Sequence, residues 1–421
     1  AAVVPWFVAT ALLHTMLVQG RRATLRVWNL SLALATYLLV LVGTFLTRSG
    51  VIQSVHSFTQ SAVGPVLLGF ILTVLVASGG LLVWRSDRLG VDEPLGPRLS
   101  RESVFLVNNL LLVALALTVL IGTVFPLLAE AVNGQRLSVG APYFDRITVP
   151  IILAILVLMG VGPLVPWGRA DLRSLIRRLA MPAGTALVVG GVLGVAGVHG
   201  LRPLAAFTAA VFAAAAIVTG YVGSVRSVQR RQLLTAPAAA LRVLARRRRF
   251  YGGMLVHLGV VLAAVAVAAS SSYTRAAQRT LRVGQSVTVA DYTARLVGID
   301  RHRDARRMWV SARLALSRDG HPVGVHEPAL SFYPNSTDAV GTPSVRTSLR
   351  DDAYLTLAQT DDTGSWAVVT LSVHPLVVWL WISAVVMAAG ALLAGWPERR
   401  RRRSDPTSSD IAAPAYTGAV S

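Results

Sequence analysis

The sequence contains no cysteine and no lysine, so all forty of its basic residues are arginines. Without cysteine the chain has no disulfide, no thiolate metal site and no redox-active cysteine pair of its own. Charged residues are scarce as well: they make up 14% of the 421 residues, whereas soluble globular proteins carry about 25%. This scarcity argues against a soluble protein.

Apolar residues make up 54% of the chain, and its mean hydropathy is +0.59. They are grouped into runs of about 20 residues, the length that an α-helix needs to cross the hydrocarbon core of a bilayer. Nine such spans are predicted, at residues 3–19, 28–47, 64–84, 104–128, 147–166, 180–199, 203–224, 251–270 and 373–395. We therefore predict an all-α polytopic membrane protein of about nine transmembrane helices.

One connection between spans is long enough to form a domain. Between residues 271 and 372 the sequence turns polar and alternates apolar with polar residues, as in TLRVGQSVTV and WVSARLALS. This pattern, with an Asp-Gly turn at 319–320, predicts a small antiparallel β-rich domain inserted before the last helix. The predicted organisation is a helix bundle at 1–270, the β-rich domain at 271–372, the last helix at 373–395 and a basic, disordered tail at 396–421.

The net charge of +20 invites a nucleic-acid interpretation, but the distribution of the arginines argues against one. The arginines cluster in alternate connections, at 21–26, 85–101, 169–178 and 226–249, and in the tail at 399–403. The positive-inside rule places such clusters on the cytoplasmic side. It therefore predicts an outside N-terminus for this chain, an outside β-rich domain and a cytoplasmic C-terminus, with no nucleic-acid partner.

Two histidines, His14 and His257, lie among apolar residues within predicted spans, where an ionisable side chain indicates a functional site. His14 precedes Arg21 by seven positions and His257 follows Arg249 by eight, so both imidazoles lie about 10–12 Å inside the cytoplasmic edge. Two neutral imidazoles at one depth suit a bis-His b-type haem. The simpler alternative is a hydrogen bond to a neighbouring helix. A zinc site is disfavoured because no third ligand shares that depth.

The connection GTFLTRSGVIQSVHSF, residues 43–58, carries Arg48 and His56 on the predicted outer side. From the residues alone, His56 is either an interfacial loop histidine, the simpler interpretation, or an iron ligand. His374, next to Pro375, is likewise interpreted as an interfacial residue at the end of a span.

Several strings are more specific than hydropathy requires. SRES followed by VNNLLL places Arg101 and Glu102 at the cytoplasmic end of a span and Asn108 and Asn109 inside it. Amides at membrane depth need partners, so the two asparagines are predicted to bond neighbouring helices, with a substrate role left open. Three further strings follow: GTVFPLL (122–128), LSVGAPYFDR (137–146, with Ser138, Gly140, Pro142 and Tyr143) and LMGVGPLVPW (158–167).

In their order along the chain, these strings and GTFLTRSGVIQSVHSF resemble the CcmF family, the membrane haem lyase subunit of bacterial cytochrome c maturation. The resemblance implies a place in the bacterial inner membrane, with a periplasmic β-rich domain. It also implies that His14 and His257 are the axial ligands of a resident haem b, and that His56 is an axial ligand of the haem being delivered as substrate. Arg48 breaks the pattern of basic residues on the outer side, so we expect it to act at the same site by pairing with a haem propionate. The family's tryptophan-rich WWD segment and first periplasmic histidine would lie before Ala1, so the expectation is an N-terminally truncated chain or one product of a split gene.

The resemblance further implies a haem lyase that acts within a complex and attaches haem to the Cys-x-x-Cys-His motif of apocytochrome c. The implied partners are the haem chaperone CcmE and other maturation subunits, including the thiol-reducing component, with quinol as a further candidate. Two alternatives from other classes stay open: a membrane haem transporter, and a haem-bearing quinol redox subunit without ligation activity. A sibling lyase dedicated to nitrite reductase shares these motifs.

Overall fold

A computed structural model describes residues 2–20, 24–49, 63–89, 97, 99–134, 137–334, 339–361 and 363–397. The helices in this part of the chain are α1 Val3–Gln19, α2 Arg26–Arg48, α3 Val63–Trp84, α4 Arg101–Asn133, α5 Ala141–Val161, α6 Leu172–Val195, α7 Leu201–Gln232, α8 Ala236–Arg246, α9 Arg248–Tyr273 and α10 Val378–Gly395. The strands between α9 and α10 are β1 Arg275–Arg282, β2 Ser286–Val289, β3 Tyr292–Arg303, β4 Met308–Arg318, β5 His321–His326, β6 Ala329–Phe332, β7 Val340–Thr342, β8 Ser344–Thr347, β9 Asp351–Thr360 and β10 Trp366–Pro375.

Eight of the described helices are long and apolar enough to cross a membrane. The predicted first span, α1, has 17 residues, which is the lower end of the range that spans hydrocarbon. The predicted fold class, a polytopic helical membrane protein with a β-rich insert before the last helix, is confirmed. Among the described α-helices one was not predicted: α8, of 11 residues, which buries Ala239 and Val243 on one side.

The membrane helices pack in two groups. In the first, α1 packs against α2 and α4, and its Val8 and Ala11 share a core with Leu112 of α4. In the second, α5, α7 and α9 share a core that includes Leu156 and Ala213. Contact between α4 and α5 joins the two groups.

The strands form a β-sandwich of two antiparallel sheets. One sheet has the order β1-β10-β9-β8, and the other has the order β2-β3-β4-β6-β7, with β5 paired to β4. Tyr292, Leu314 and Leu371 are fully or almost fully buried between the sheets. The predicted period of two is visible in β10, where Ala367, Val369 and Leu371 are buried and the residues between them are half-buried.

The sandwich is joined to the membrane helices by two neighbouring strands. Helix α9 leads into β1, β10 leads towards α10, and Arg275 of β1 pairs with Val373 of β10. The predicted start of the last span, residue 373, is therefore too early, because residues 373–375 pair with β9 and the helix begins only at Val378.

Below this junction α9 and α10 pack backbone to backbone through glycines. A Cβ atom added at Gly252 of α9 would lie 2.6 Å from the Ala394 backbone nitrogen, and one added at Gly390 of α10 would lie 2.7 Å from the Gly252 carbonyl oxygen. Only glycine permits this approach, so the pair forms a close-packed stem under the sandwich.

Candidate functional site

The structure brings His14 of α1 and His257 of α9 together. Their ring centroids lie 6.1 Å apart and the ring planes are within 5° of parallel. An imidazole nitrogen lies about 2 Å from a bound metal ion, so two rings on opposite sides of one ion have centroids roughly 6 Å apart. The 6.1 Å separation of these stacked rings equals the centroid separation that two ligands of one metal ion require.

The hydrogen bonding of His14 favours a ligand at one ring nitrogen. Its Nδ1 lies 2.7 Å from the carbonyl oxygen of Thr10, one helical turn back. A protonated Nδ1 donates this bond and leaves the lone pair on Nε2, the tautomer that binds metals. On His257, Nδ1 is buried without a hydrogen-bond partner.

The two rings come from helices of different packing groups. Helix α1 packs mainly on α4 and α2, whereas α9 packs mainly on α10 and α7. Within the described residues no group of three His, Cys, Asp or Glu side chains forms a cluster. The pair therefore offers two nitrogen ligands, the number that a porphyrin leaves for the protein in a six-coordinate haem.

A line of aromatic side chains connects the histidine pair to the start of α4. Phe105 meets His14 edge-on at 5.7 Å between ring centroids, and Trp167 meets Phe105 in the same way at 5.7 Å. The guanidinium of Arg101 lies over the Trp167 ring at 5.3 Å. Sequence reasoning missed Phe105 and Trp167, although Phe105 follows Arg101 by one helical turn and so lies on the same face of α4.

Arg101 fixes the two motifs SRES and MGVGPLVPW against each other. Its Nε donates to the Val165 carbonyl at 2.7 Å, and its Nη2 donates to the Pro163 carbonyl at 2.9 Å. Ser100 caps α4 by accepting a hydrogen bond from the Ser103 backbone N–H, as serine at an N-cap does. Glu102 beside them is buried.

Asn109 does not make the hydrogen bonds that were predicted for its side chain. Its side chain is fully buried, and neither Nδ2 nor Oδ1 has a hydrogen-bond partner in the described protein. The residues one turn away on the same face of α4, Phe105 and Leu112, offer no donor or acceptor. The predicted bonds to neighbouring helices are therefore not formed by Asn109. Asn108, next to it, is half-buried.

The strings GTVFPLL and LSVGAPYFDR meet at the other end of the α4–α5 contact. A Cβ atom at Gly122 would lie 2.7 Å from the Phe144 ring and 2.8 Å from the Tyr143 ring, so the glycine makes room for both. The Tyr143 hydroxyl donates to the Thr118 carbonyl at 3.3 Å. Gly140 is the N-cap of α5. Of the remaining motif residues, Pro142 lies in the first turn of α5 and Ser138 is exposed before it.

The predicted outer-side residues are only partly described. His56 lies outside the described residues, and Arg48 lies in the last turn of α2 with an exposed side chain. Both ring nitrogens of His374 have a hydroxyl partner. Its Nδ1 lies 3.0 Å from the Thr274 hydroxyl, and its Nε2 lies 3.0 Å from the Ser372 hydroxyl. His374 is thus hydrogen-bonded within the junction of the sandwich and the helices.

Comparison with known proteins identifies relatives over nearly the whole chain. Residues 272–375 match the family model described as CcmF C-terminal beta-sandwich. The chain is 32% identical over 407 residues to the cytochrome c-type biogenesis protein CcmF of Pseudomonas aeruginosa, covering 95% of this chain and 60% of the relative. It is 31% identical over 411 residues to CcmF of Escherichia coli, covering 96% of this chain and 61% of the relative.

The fold is similar to a solved structure described as cytochrome c heme lyase CcmF. The two share a TM-score of 0.71 and 32% sequence identity, over 94% of this chain and 59% of the solved one. The chain therefore spans about three fifths of the length of these relatives. The resemblance carried by the sequence motifs is confirmed.

Proposed function

Because the chain belongs to the CcmF family of cytochrome c-type biogenesis proteins, we propose that it is a haem lyase component of bacterial cytochrome c maturation. We further propose that His14 and His257 bind a resident haem b between α1 and α9. The parallel ring pair, with centroids 6.1 Å apart, is the observation that carries the proposal. A bis-His haem supplies one-electron chemistry.

The residues around the pair have separate tasks in this account. The Thr10 carbonyl fixes the His14 tautomer and ring orientation. Phe105 and Trp167 give the site an apolar wall, and Arg101 holds Trp167 in place. The buried amide of Asn109 has no protein partner, and such a group is completed by a bound ligand or water. We assign it to the same site because it lies one helical turn from Phe105.

The substrate site lies on the periplasmic side in this proposal. His56 binds the iron of the substrate haem, and Arg48 pairs with a propionate. Each thiol of an apocytochrome Cys-x-x-Cys-His motif adds across one haem vinyl group, so a C–S bond forms at one vinyl carbon and a hydrogen is gained by the other. The cysteine-free chain supplies no nucleophile; its contribution is to hold the reactants in position.

The partners follow from this chemistry. Apocytochrome c arrives with its cysteines kept reduced by the thiol-reducing component, haem arrives from CcmE, and quinol is a candidate electron donor. The sandwich then faces the periplasm and the arginine clusters face the cytoplasm, in the inner membrane.

The visible spectrum of the purified protein tests the resident haem. We expect a low-spin b-type spectrum that is lost in both His14→Ala and His257→Ala and kept in His321→Ala, which removes an exposed histidine of β5. A b-type spectrum that survives both membrane substitutions would overturn the ligand assignment.

A second measurement separates the lyase from a redox subunit that shares the histidine pair. His56→Ala should lower the yield of holocytochrome in cells while the b-type spectrum stays unchanged. A normal holocytochrome yield would favour the redox subunit. A protein that binds no haem but still moves it across membranes would favour the transporter.

A further inference from the structure

The arginine-rich side of the bundle contains a cavity that the haem chemistry does not use. Its volume is about 770 Å³, and it lies between the start of α6, the end of α7 and the short helix α8. Among the described residues no acidic side chain lines it, and six arginines do: Arg177, Arg178, Arg231, Arg242, Arg246 and Arg247. Within the described part of the chain, no carboxylate forms an ion pair with any of the six.

Membrane topology alone does not require so many arginines around one cavity. The positive-inside rule needs basic residues near the span ends, and charges distributed over the surface satisfy it. Here α8 directs Arg242 and Arg246, one turn apart, into the same cavity, while its Ala239 and Val243 anchor it on α7 and α9. The Tyr221 hydroxyl adds a hydrogen bond to the Ala240 carbonyl at 3.2 Å. The like charges repel one another, and an anion in the cavity would relieve that repulsion.

The cavity also has an apolar side that continues into the membrane. Met181 of α6 lines it and is 69% exposed. On the same face of α6, Val188 and Val192 follow at helical spacing and are 67% and 61% exposed. A ligand that fits both parts has an anionic head and an apolar chain.

We propose that this cavity binds the phosphate headgroup of an anionic phospholipid, whose acyl chain lies along α6. Basic pockets between transmembrane helices on the cytoplasmic side bind such headgroups. Arginine suits the role because its planar fork pairs with two phosphate oxygens at once. The bound lipid would fix α8 and the ends of α6 and α7 relative to one another.

The test compares two double variants with equal charge and spacing. Arg242→Gln with Arg246→Gln removes two cavity arginines one turn apart. Arg226→Gln with Arg230→Gln removes two arginines one turn apart on α7 that do not line the cavity. Binding of phosphatidylglycerol to the delipidated full chain in detergent is titrated by native mass spectrometry, with phosphatidylcholine as the neutral control.

We expect one phosphatidylglycerol per chain to be bound in preference to phosphatidylcholine. The cavity variant should bind it about 25-fold more weakly, at about fivefold per arginine, while the control variant changes less than threefold. Equal weakening in both variants would indicate diffuse surface attraction and would overturn the site. A rise in melting temperature with millimolar inorganic phosphate, together with no preference for phosphatidylglycerol over phosphatidylcholine, would show that the cavity binds free phosphate and would overturn the lipid assignment.

A second measurement needs no variant and so does not depend on the folding of one. The melting temperature of the unmodified chain should rise with phosphatidylglycerol concentration and then saturate, as binding to the folded state requires. The same titration with phosphatidylcholine should leave it unchanged. Identical responses to the two lipids would contradict the proposal.

Discussion

Adjacent glycines on α9 provide a controlled test of the stem under the sandwich. Gly252→Ala places a methyl group 2.6 Å from the Ala394 nitrogen, 2.7 Å from the Gly390 oxygen and 2.8 Å from the Ala394 Cβ. Favourable contacts between heavy atoms lie at about 3.5–4.0 Å, so α10 must move by roughly 1 Å. Gly253→Ala meets nothing within 4 Å.

The two substitutions change the free energy of unfolding through one contribution that they share and one that only Gly252→Ala has. Both gain helix propensity of up to about 1 kcal/mol, because alanine replaces glycine within a helix. Only Gly252→Ala also incurs overpacking, which costs about 1–3 kcal/mol. The difference between the two free energies of unfolding is therefore the steric term, about 1–3 kcal/mol, with Gly252→Ala the less stable.

Thermal unfolding in detergent, followed by circular dichroism, measures this difference directly. The melting temperature should be lower for Gly252→Ala than for Gly253→Ala, and Gly253→Ala should match or exceed the unmodified chain. A melting temperature for Gly252→Ala equal to or above that of Gly253→Ala would refute the close approach of α9 and α10.

Three further outcomes are expected. Tyr292→Phe removes a hydroxyl that donates to Asp351 Oδ1 at 2.8 Å inside the sandwich, so the free energy of unfolding should fall by about 1–3 kcal/mol; unchanged stability in chemical denaturation would contradict this. Burial raises the pKa of the Asp352 carboxyl above 3.8, so the folded chain binds a proton there more tightly than the unfolded chain does. The free energy of unfolding therefore falls as the pH rises from about 3.8 through the folded pKa. Asp352→Asn should flatten that part of the stability curve and raise the melting temperature at neutral pH, whereas a curve that keeps its slope would exclude Asp352 as the cause. Asn109→Leu should lower the haem retained per chain about fivefold or more, since one buried hydrogen bond is lost, and Asn108→Leu should not; equal retention in both, by pyridine haemochrome assay, would remove Asn109 from the site.

The parts of the fold that follow from periodicity could be predicted from the sequence. Runs of about 20 apolar residues gave the spans, and the alternation in residues 271–372 gave the sandwich strands. The short helix α8 was not predicted, because its two buried residues are too few to form a periodic pattern. The start of α10 was placed too early because residues 373–375 are as apolar in a paired strand as in a helix.

The candidate site, like the fold, could be predicted only in part from the sequence. Distances counted from Arg21 and Arg249 placed His14 and His257 at one depth, because helical rise is constant. They could not show that α1 and α9 face each other, since that depends on how the two packing groups meet through α4 and α5. The positions of Phe105 and Asn109 relative to the histidines depend on the same packing of α4 and α5, so the sequence alone could not indicate their roles.

Electron paramagnetic resonance of the oxidised protein tests most directly whether the parallel pair of His14 and His257 binds a haem. If both histidines bound one haem iron, imidazole planes within 5° of parallel would align their π orbitals and split the iron dπ levels, which gives a rhombic low-spin signal. Perpendicular planes would leave those levels nearly degenerate and give a strongly anisotropic signal. We expect a rhombic low-spin signal that is lost in His14→Ala and in His257→Ala. A high-spin or strongly anisotropic signal in the unmodified protein, or a low-spin signal that persists in either variant, would contradict it.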